Sequence, residues 1–88
     1  MRIELRFYGG FAVAAGTEMA EVDLPGETLG ELLAEIRSRW PEVGELLDGP
    51  GRGAAVLVLN GGALEEPDLK TRLNEGDLLS IMPFVAGG

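Results

Sequence analysis

Apolar and charged residues alternate over residues 1–8, where every second side chain is apolar. A repeat of two is typical of a strand that buries one face. The same alternation returns over residues 20–24 and predicts a second strand. Because several residues separate the two strands, we expect a wide hairpin with residues 9–17 in its loop.

A capping box followed by one apolar stripe predicts the main helix, over residues 28–40. Thr28 and Glu31 have the spacing at which the side chain of each accepts a hydrogen bond from the backbone N–H group of the other. The stripe follows at helical spacing and consists of Leu29, Leu32, Leu33, Ile36 and Trp40. We expect Pro41 to end the helix, because it cannot donate a hydrogen bond to the preceding turn.

The region after this helix has a less regular pattern. Residues 41–54 are predicted to be a connector, with one apolar turn at residues 43–47 and a glycine-rich surface loop at residues 48–53. That loop lacks the Lys-Ser/Thr pair of a phosphate-binding loop. Further on, residues 67–73 are predicted to form a turn of helix over the edge of the core.

Three more strands are predicted in the second half. The apolar run at residues 55–59 indicates a well-covered strand. Asn60-Gly61 predicts a tight turn, because both residues tolerate positive φ, and a short return strand follows at residues 63–64. The last strand is predicted at residues 78–83.

The order of the predicted elements is strand, strand, helix, strand, short strand, strand. An amphipathic helix needs a sheet face to cover, so the order predicts a two-layer α+β fold. We expect residues 1–88 to form one domain, with a flexible tail over about residues 84–88. Periodicity does not fix the order of the strands in the sheet.

The chain carries a net charge of −8, from 15 acidic and 7 basic residues. This balance argues against binding nucleic acids or anionic membranes, which requires a basic surface. Two compatible interpretations stay open: the acidic residues keep a small domain soluble, or they steer it toward a basic partner. We expect a cytoplasmic location, because no apolar run approaches the roughly 20 residues that span a bilayer and residues 1–6 lack the pattern of a signal peptide.

The sequence contains no cysteine and no histidine. Thiol, imidazole and most zinc-site chemistry is therefore excluded. The sequence also lacks the spacing of an EF-hand calcium loop. We expect a protein that is not catalytic by itself and that binds neither a metal nor a cofactor.

The chemistry that is left lies at the end of the sequence, at Gly87-Gly88. Two residues without side chains can enter a narrow channel and present an α-carboxylate to the active site of another protein. A carboxylate is a poor electrophile, but an acyl-adenylate made with ATP accepts a sulfur or nitrogen nucleophile. By itself a terminal Gly-Gly also fits an inert chain end. Its position directly after the last strand of this pattern favours the functional interpretation.

The run from Leu73-Asn74-Glu75-Gly76-Asp77 into Ile81-Met82-Pro83-Phe84-Val85-Ala86-Gly87-Gly88 resembles the ubiquitin-like β-grasp sulfur carriers. The resemblance is strongest to the small subunit of molybdopterin synthase, MoaD, with the thiamine carrier ThiS as a relative. It covers essentially the whole chain. Phe84 stands where the molybdopterin group commonly has a second proline. The other segments that carry the resemblance are Arg6-Phe7-Tyr8, Ala14-Ala15-Gly16-Thr17, Arg39-Trp40 and Val58-Leu59-Asn60-Gly61.

This resemblance implies a β-grasp fold with a mixed four- to five-stranded sheet, in which the first and last strands are parallel and central. It also implies that an E1-like enzyme uses ATP to adenylate the carboxylate of Gly88, which then becomes a thiocarboxylate. The sulfur would pass to a pterin precursor in a complex with the large subunit of molybdopterin synthase. Gly88 is then the reacting residue, and Gly87 permits the tail to enter the partner.

A partner that takes up the tail needs a surface around its start. If the first and last strands are adjacent, Tyr8 and Met82 share the sheet face that points away from the helix. Exposed apolar side chains beside a functional tail favour an interface. The predicted partner-binding residues are Tyr8, Leu64, Met82, Phe84 and Val85, with Leu78 as an extension.

Three other functions stay open. The chain is alternatively a ubiquitin-like modifier that is conjugated to lysines through Gly88, or a sulfur carrier for thiamine, cysteine or tRNA thiolation. The third alternative is a β-grasp binding module with an inert tail.

Overall fold

In a computed structural model, the chain forms a five-stranded sheet with helices on one face, and the structure describes residues 1–48 and 55–84. The strands are β1 (Arg2–Phe7), β2 (Met19–Asp23), β3 (Ala55–Leu59), β4 (Gly62–Leu64) and β5 (Leu78–Pro83). The helices are α1 (Gly10–Ala15), α2 (Leu29–Arg39) and α3 (Pro41–Asp48). None of these helices in the two described ranges is long and apolar enough to cross a membrane.

The strands lie in the order β2-β1-β5-β3-β4. The neighbours β1 and β5 are parallel, with Leu5 opposite Leu79 and Phe7 opposite Ile81, and the other strand pairs are antiparallel. The expected mixed sheet, with the first and last strands adjacent in its middle, is therefore confirmed. This order brings the end of β1 beside the end of β5, where the tail begins.

The core lies between this sheet and α2. Every second residue of β1 points into it, as the alternation predicts, and the ring of Phe7 packs edge-on against Trp40 with the ring centroids 5.2 Å apart. The fully buried side chains are those of Ile3, Leu5, Phe7, Val22, Leu24, Leu29, Leu32, Ile36, Val43, Leu79 and Ile81. Burial of this apolar set is the main stabilising contribution, since the sequence offers no disulfide.

The predicted capping box of α2 is confirmed. The Thr28 hydroxyl accepts a hydrogen bond from Glu31 N at 3.2 Å, and the Glu31 carboxylate accepts one from Thr28 N at 3.2 Å. The hydrogen bond from Glu27 N, together with those from Thr28, lowers the pKa of the Glu31 carboxyl. The helix runs from Leu29 to Arg39, so Thr28 and Trp40 flank it as caps.

The prediction of a loop between β1 and β2 is wrong, because this segment contains the short helix α1. Phe11 anchors the helix in the core, where it is buried. The helix ends at Gly16, which has a φ of 76° and donates its N–H to Ala12 O at 2.9 Å. Only glycine adopts this left-handed conformation without strain, which explains why the helix ends there.

The prediction of a connector with a single apolar turn is also wrong, because residues 41–48 form the full helix α3. Pro41 ends α2 as expected, and it then serves as the first residue of α3, where a backbone N–H is not needed. Arg37 of α2 holds Asp48 of α3 through two hydrogen bonds of 2.8 and 2.9 Å. This contact lowers the pKa of the Asp48 carboxyl and raises that of Arg37.

The turn of helix predicted at residues 67–73 is wrong. This segment instead runs beside the start of α2, where the carbonyl oxygens of Thr71 and Leu69 accept hydrogen bonds from Leu29 N and Gly30 N, each at 2.9 Å. The first N–H groups of a helix have no partner within the helix. The segment satisfies them from outside, with a turn closed by the hydrogen bond from Thr71 N to Asp68 O at 2.9 Å.

The Asn60-Gly61 turn is confirmed, with φ values of 50° and 85° at the two residues. The Asn60 side chain joins a polar network at the start of β5, which we call the Asn60–Asp77 network. Asn60 Nδ2 donates to Asp77 Oδ1 at 2.9 Å, and Leu78 N donates to Asn60 Oδ1 at 2.9 Å. Asn74 N donates to Asp77 Oδ2 at 2.8 Å. The network fixes the β3–β4 turn to the loop that precedes β5.

Candidate functional site

The predicted site residues lie in two groups. Gly87, Gly88 and Val85 lie outside the described residues, so their roles stay predictions. The described part of the site is the place where the chain leaves β5, formed by Tyr8, Gly9, Pro83 and Phe84, which we call the tail root. Phe84 is the last described residue, and its side chain is 55% exposed.

The tail root is fixed by backbone contacts between β1 and β5. Tyr8 N donates to Ile81 O at 3.0 Å, which extends the parallel pairing beyond the last residue of β1. Gly9 follows with a φ of 56° and a ψ of −131°, a conformation that side chains rarely permit. A Cβ atom at Gly9 would lie 3.1 Å from Pro83 Cγ. The Pro83 ring therefore packs directly against the Gly9 backbone.

Gly9 is a site residue that the sequence analysis missed. The sequence analysis places Gly9 in the loop of a wide hairpin, whereas Gly9 caps α1 and contacts the last residue of β5. The available signal was a glycine directly after a strand, which marks a close approach of backbones as often as a loop. Periodicity alone does not separate these two meanings.

Tyr8 and Met82 lie on the sheet face away from the helices, as predicted. Phe7 and Ile81 are opposite each other and point into the core, so the residues after them point to the other face. Tyr8 is 43% exposed and Met82 is half-buried. On this face Met82 pairs with Val56, which extends an apolar area from β5 onto β3.

Leu64 does not join Tyr8 and Met82 on that face. It pairs with Leu57, a core residue, so its side chain points to the helix side of the sheet, where it packs against the core at its edge. Leu64 and Phe84 nevertheless line one groove of about 340 Å³ beside β4. The structure thus places the predicted residues in two areas, one on the open face and one at the sheet edge. Neither position tests the prediction that these residues bind a partner.

The surroundings of the tail root include one groove. Arg6, Glu18 and Met19 line a shallow groove of about 300 Å³ next to Tyr8 and Gly9. Within residues 1–48 and 55–84, no group of histidine, cysteine, aspartate or glutamate side chains has the geometry of a metal site. The same part of the chain contains no buried side-chain polar atom without a hydrogen-bond partner. The described residues of the tail root hold the chain at the point where it leaves β5.

Comparison with known proteins identifies the family. The ThiS family matches residues 5–88 of this chain. No protein with a curated description matches it significantly.

Several solved structures have the same fold. A protein of Pyrococcus furiosus assigned as molybdopterin converting factor subunit 1 superposes with a TM-score of 0.79 at 26% identity, covering 97% of this chain and 99% of that one. In the complex of subunits 1 and 2 of the molybdopterin-converting factor from Helicobacter pylori, the similar chain has a TM-score of 0.67 at 27% identity, and each chain is covered fully, at 100%. SAMP1 of Haloferax volcanii has a TM-score of 0.75 at 25% identity, again with 100% of both chains covered. The fold is therefore the ubiquitin-like β-grasp.

Proposed function

This chain belongs to the ThiS family, and we propose that it is a sulfur carrier that acts through the α-carboxylate of Gly88. In the proposed reaction, an E1-like enzyme transfers the adenylyl group of ATP to this carboxylate, and pyrophosphate leaves. Hydrosulfide then attacks the acyl carbon, AMP leaves, and the residue becomes a thiocarboxylate. Gly87 lets the tail enter the active site of the partner, and ATP is used by the partner rather than bound by the carrier.

The observation that carries this proposal is the extent of the family match, which runs from residue 5 to residue 88 and includes both glycines of the tail. The geometry of the described residues supports it. Strand β5 lies between β1 and β3, and it leads directly into the tail. A sheet that is paired on both sides of β5 provides a rigid base from which a tail can be presented.

For the pathway, we propose molybdopterin biosynthesis in the cytoplasm, with this chain as the small, non-catalytic subunit of molybdopterin synthase. The support is the likeness to two proteins named as molybdopterin converting factor subunit 1, one of them in complex with subunit 2. The large synthase subunit would then contact the open sheet face at Tyr8 and Met82. The predicted contacts at Leu64, Phe84 and Val85 would follow the tail toward its active site.

The second candidate is a protein modifier that is conjugated through Gly88. It is favoured by the likeness to SAMP1, a small archaeal modifier protein. The same activated carboxylate would then be attacked by a lysine amine instead of sulfur. High-mass conjugates that carry this chain in its host would favour this alternative over the carrier.

Removal of Gly88 tests the main proposal with the largest expected effect. We expect the variant to lose sulfur transfer completely, because the adenylated carboxylate is misplaced by one residue. Its free energy of unfolding should stay within about 0.5 kcal/mol of the wild type, because the residue lies beyond the last strand. Intact mass of the protein from its host should show one terminal oxygen replaced by sulfur, and only when Gly88 is present.

A matched control is Gly62→Ala, in the edge strand β4. A Cβ atom there would meet only Leu59 O, at an ordinary distance of 3.5 Å, so transfer should be retained. Sulfur transfer that survives the loss of Gly88 would contradict the carrier proposal.

A further inference from the structure

Helix α1 follows β1 directly and packs against both β1 and β5. Its buried residue is Phe11, whose side chain belongs to the hydrophobic core. A large aromatic side chain in a closely packed core cannot move outward without leaving a cavity, which costs free energy. Phe11 therefore fixes the position of α1 relative to the sheet.

Gly9 joins β1 to α1, and hydrogen bonds hold the backbone on both of its sides. On the strand side, Tyr8 N donates to Ile81 O at 3.0 Å. On the helix side, Gly9 O accepts hydrogen bonds from Ala12 N at 3.1 Å and from Val13 N at 3.3 Å. Separating these paired groups costs free energy. The position of Gly9 is thus set jointly by α1 and by the end of β5.

Pro83 packs against this fixed backbone. A Cβ atom at Gly9 would lie 3.1 Å from Pro83 Cγ and 3.3 Å from Pro83 Cδ, closer than most Cβ contacts in proteins. Glycine is therefore the residue that leaves room for the ring, and it also adopts the φ of 56° without strain. Because the proline ring restricts its own φ to about −65°, fixing the ring also fixes the direction of the backbone at Pro83.

The tail beyond this contact is short. Residues 84–88 follow Pro83, and a segment of that length spans at most about 17 Å. A change of about 20° in the direction at Pro83 would move the end of such a segment by about 6 Å. The tail could still bend into an active site, but each residue that has to be reordered loses conformational entropy. The direction at Pro83 therefore affects how readily the Gly88 carboxylate reaches a reactive position.

We propose that Gly9 is a positioning residue for the reaction at Gly88. It transmits the fixed position of α1 to Pro83, and it thereby sets the direction in which the tail leaves β5. This inference rests on the proposed function. The proposed contacts at Tyr8 and Met82 would hold the body of the carrier on its partner, whereas Gly9 acts on the tail through Pro83. A change at Gly9 should consequently alter tail placement and leave docking of the body unchanged.

The adenylation step separates these two effects. A carboxylate oxygen of Gly88 forms a bond to the α-phosphorus of ATP, the bond from that phosphorus to the bridging oxygen of the β-phosphate breaks, and pyrophosphate leaves. Exchange of labelled pyrophosphate into ATP by the host's E1-like enzyme reports this step. Its dependence on the concentration of the full-length carrier gives KM and kcat. Weaker docking raises KM, whereas a misplaced tail lowers kcat.

The primary variant is Gly9→Ala, which disturbs the contact by adding a methyl group. We expect kcat to fall about tenfold and KM to stay within about twofold of the wild type. Gly16→Ala is the matched control at the other end of α1. Gly16 also has a positive φ, of 76°, but a Cβ atom there would meet no atom within 4 Å. This control should lose a similar amount of stability through backbone strain and keep the kcat and KM of the wild type.

The second variant, Pro83→Ala, removes the ring from the same contact and forces no residue into a strained conformation. It can therefore be measured even where Gly9→Ala does not fold, and its kcat should also fall while its KM is kept. If both residues act through one contact, their effects are not additive. The kcat of Gly9→Ala/Pro83→Ala should then resemble that of the single variants and not the product of their losses.

Three results would overturn the inference and leave the carrier function intact. The first is a wild-type kcat for Pro83→Ala or for folded Gly9→Ala. The second is a rise in KM without a fall in kcat, which would assign Gly9 to docking. The third is an equal fall in kcat for Gly16→Ala, because the effect would then follow stability and not the contact with Pro83. Absence of exchange with the wild-type carrier would overturn the proposed function, and this inference with it.

Discussion

The two ends of β5 are built in different ways. At its start, the Asn60–Asp77 network joins two loops through hydrogen bonds to a carboxylate that is 8% exposed. At its end, Pro83 packs against bare glycine backbone, and the neighbouring Tyr8 and Phe84 are exposed. The difference along one strand is that its start is held by polar contacts, whereas its end leaves side chains exposed where the proposed partner would bind.

Three residues that carry the family resemblance lie at the start of β5. Asn60, Gly76 and Asp77 belong to its most recognisable segments, and in the structure they build the polar start of β5. Gly76, at a φ of 84°, donates its N–H to Arg2 O at 2.8 Å and so ties this loop to β1. In this structure, the contacts of these residues hold β5 in place.

The largest effect on stability is expected at the polar end, for Asp77→Ala. The substitution leaves Asn60 Nδ2 and Asn74 N without their acceptor in a partly buried site. Each lost acceptor carries a desolvation cost, so we expect the free energy of unfolding to fall by about 3 kcal/mol. Urea denaturation monitored by circular dichroism measures this change.

Asp23→Ala is the matched control, because it removes a carboxylate that is 99% exposed and only 3.9 Å from the terminal amine. The free energy of unfolding of Asp23→Ala should stay within about 0.5 kcal/mol of the wild type. Similar free energies of unfolding for Asp77→Ala and Asp23→Ala would contradict the conclusion that the Asn60–Asp77 network holds β5.

An intermediate effect is expected at the tail root, for Gly9→Ala. The new methyl group would lie 3.1 Å from Pro83 Cγ, and the residue would have to keep a φ of 56°. Strain of this kind should lower the free energy of unfolding by about 2 kcal/mol, and both thermal and urea denaturation would detect this loss. The loss should be smaller than that of Asp77→Ala, because no buried polar group loses its partner.

Two further variants separate the causes of that loss. Gly10→Ala has open space around its new Cβ and a helical backbone, so it should be neutral or slightly stabilising. Gly9→Ala combined with Pro83→Ala removes the steric contact but keeps the φ strain, and should recover part of the stability. A double variant that recovers nothing would show that the Pro83 contact is not what constrains Gly9.

The elements that the sequence predicted well are those with long periodic patterns or a complete cap. Strand β1 and helix α2 fall into this class, because alternation and the Thr28–Glu31 box each define a boundary. The strand order required the family resemblance, since each predicted strand fits several sheets. Helix α1 was missed because six glycine and apolar residues are too few to show a helical repeat.

The site was predictable only in part, for a similar reason. Tyr8 and Met82 follow from alternation once β1 and β5 are neighbours. The helix-side position of Leu64 depends on its register with Leu57, which a three-residue strand does not reveal. The groove of about 650 Å³ between α1 and α3 was not predicted, because residues 9–17 were expected to be a loop and only one turn of α3 was expected.

The smallest expected effect is a pH dependence of the stability at the start of α2, beside the segment that leads toward β5. Hydrogen bonds from Glu27 N and from Thr28 lower the pKa of the Glu31 carboxyl below its unfolded value. A group with a lowered pKa in the folded state stabilises the fold above its unfolded pKa, and this contribution is lost as the pH falls through the folded pKa. The thermal midpoint of the wild type should therefore exceed that of Glu31→Gln at neutral pH, and the difference should disappear in acid.

Glu35→Gln is the control for this last comparison, since it removes the same charge from the same helix without altering the cap. The difference in thermal midpoint between Glu35→Gln and the wild type should not change with pH in the way expected for Glu31→Gln. A gap between the wild type and Glu31→Gln that persists below the pKa of the folded carboxyl would mean that the neutral acid caps as well as the carboxylate does.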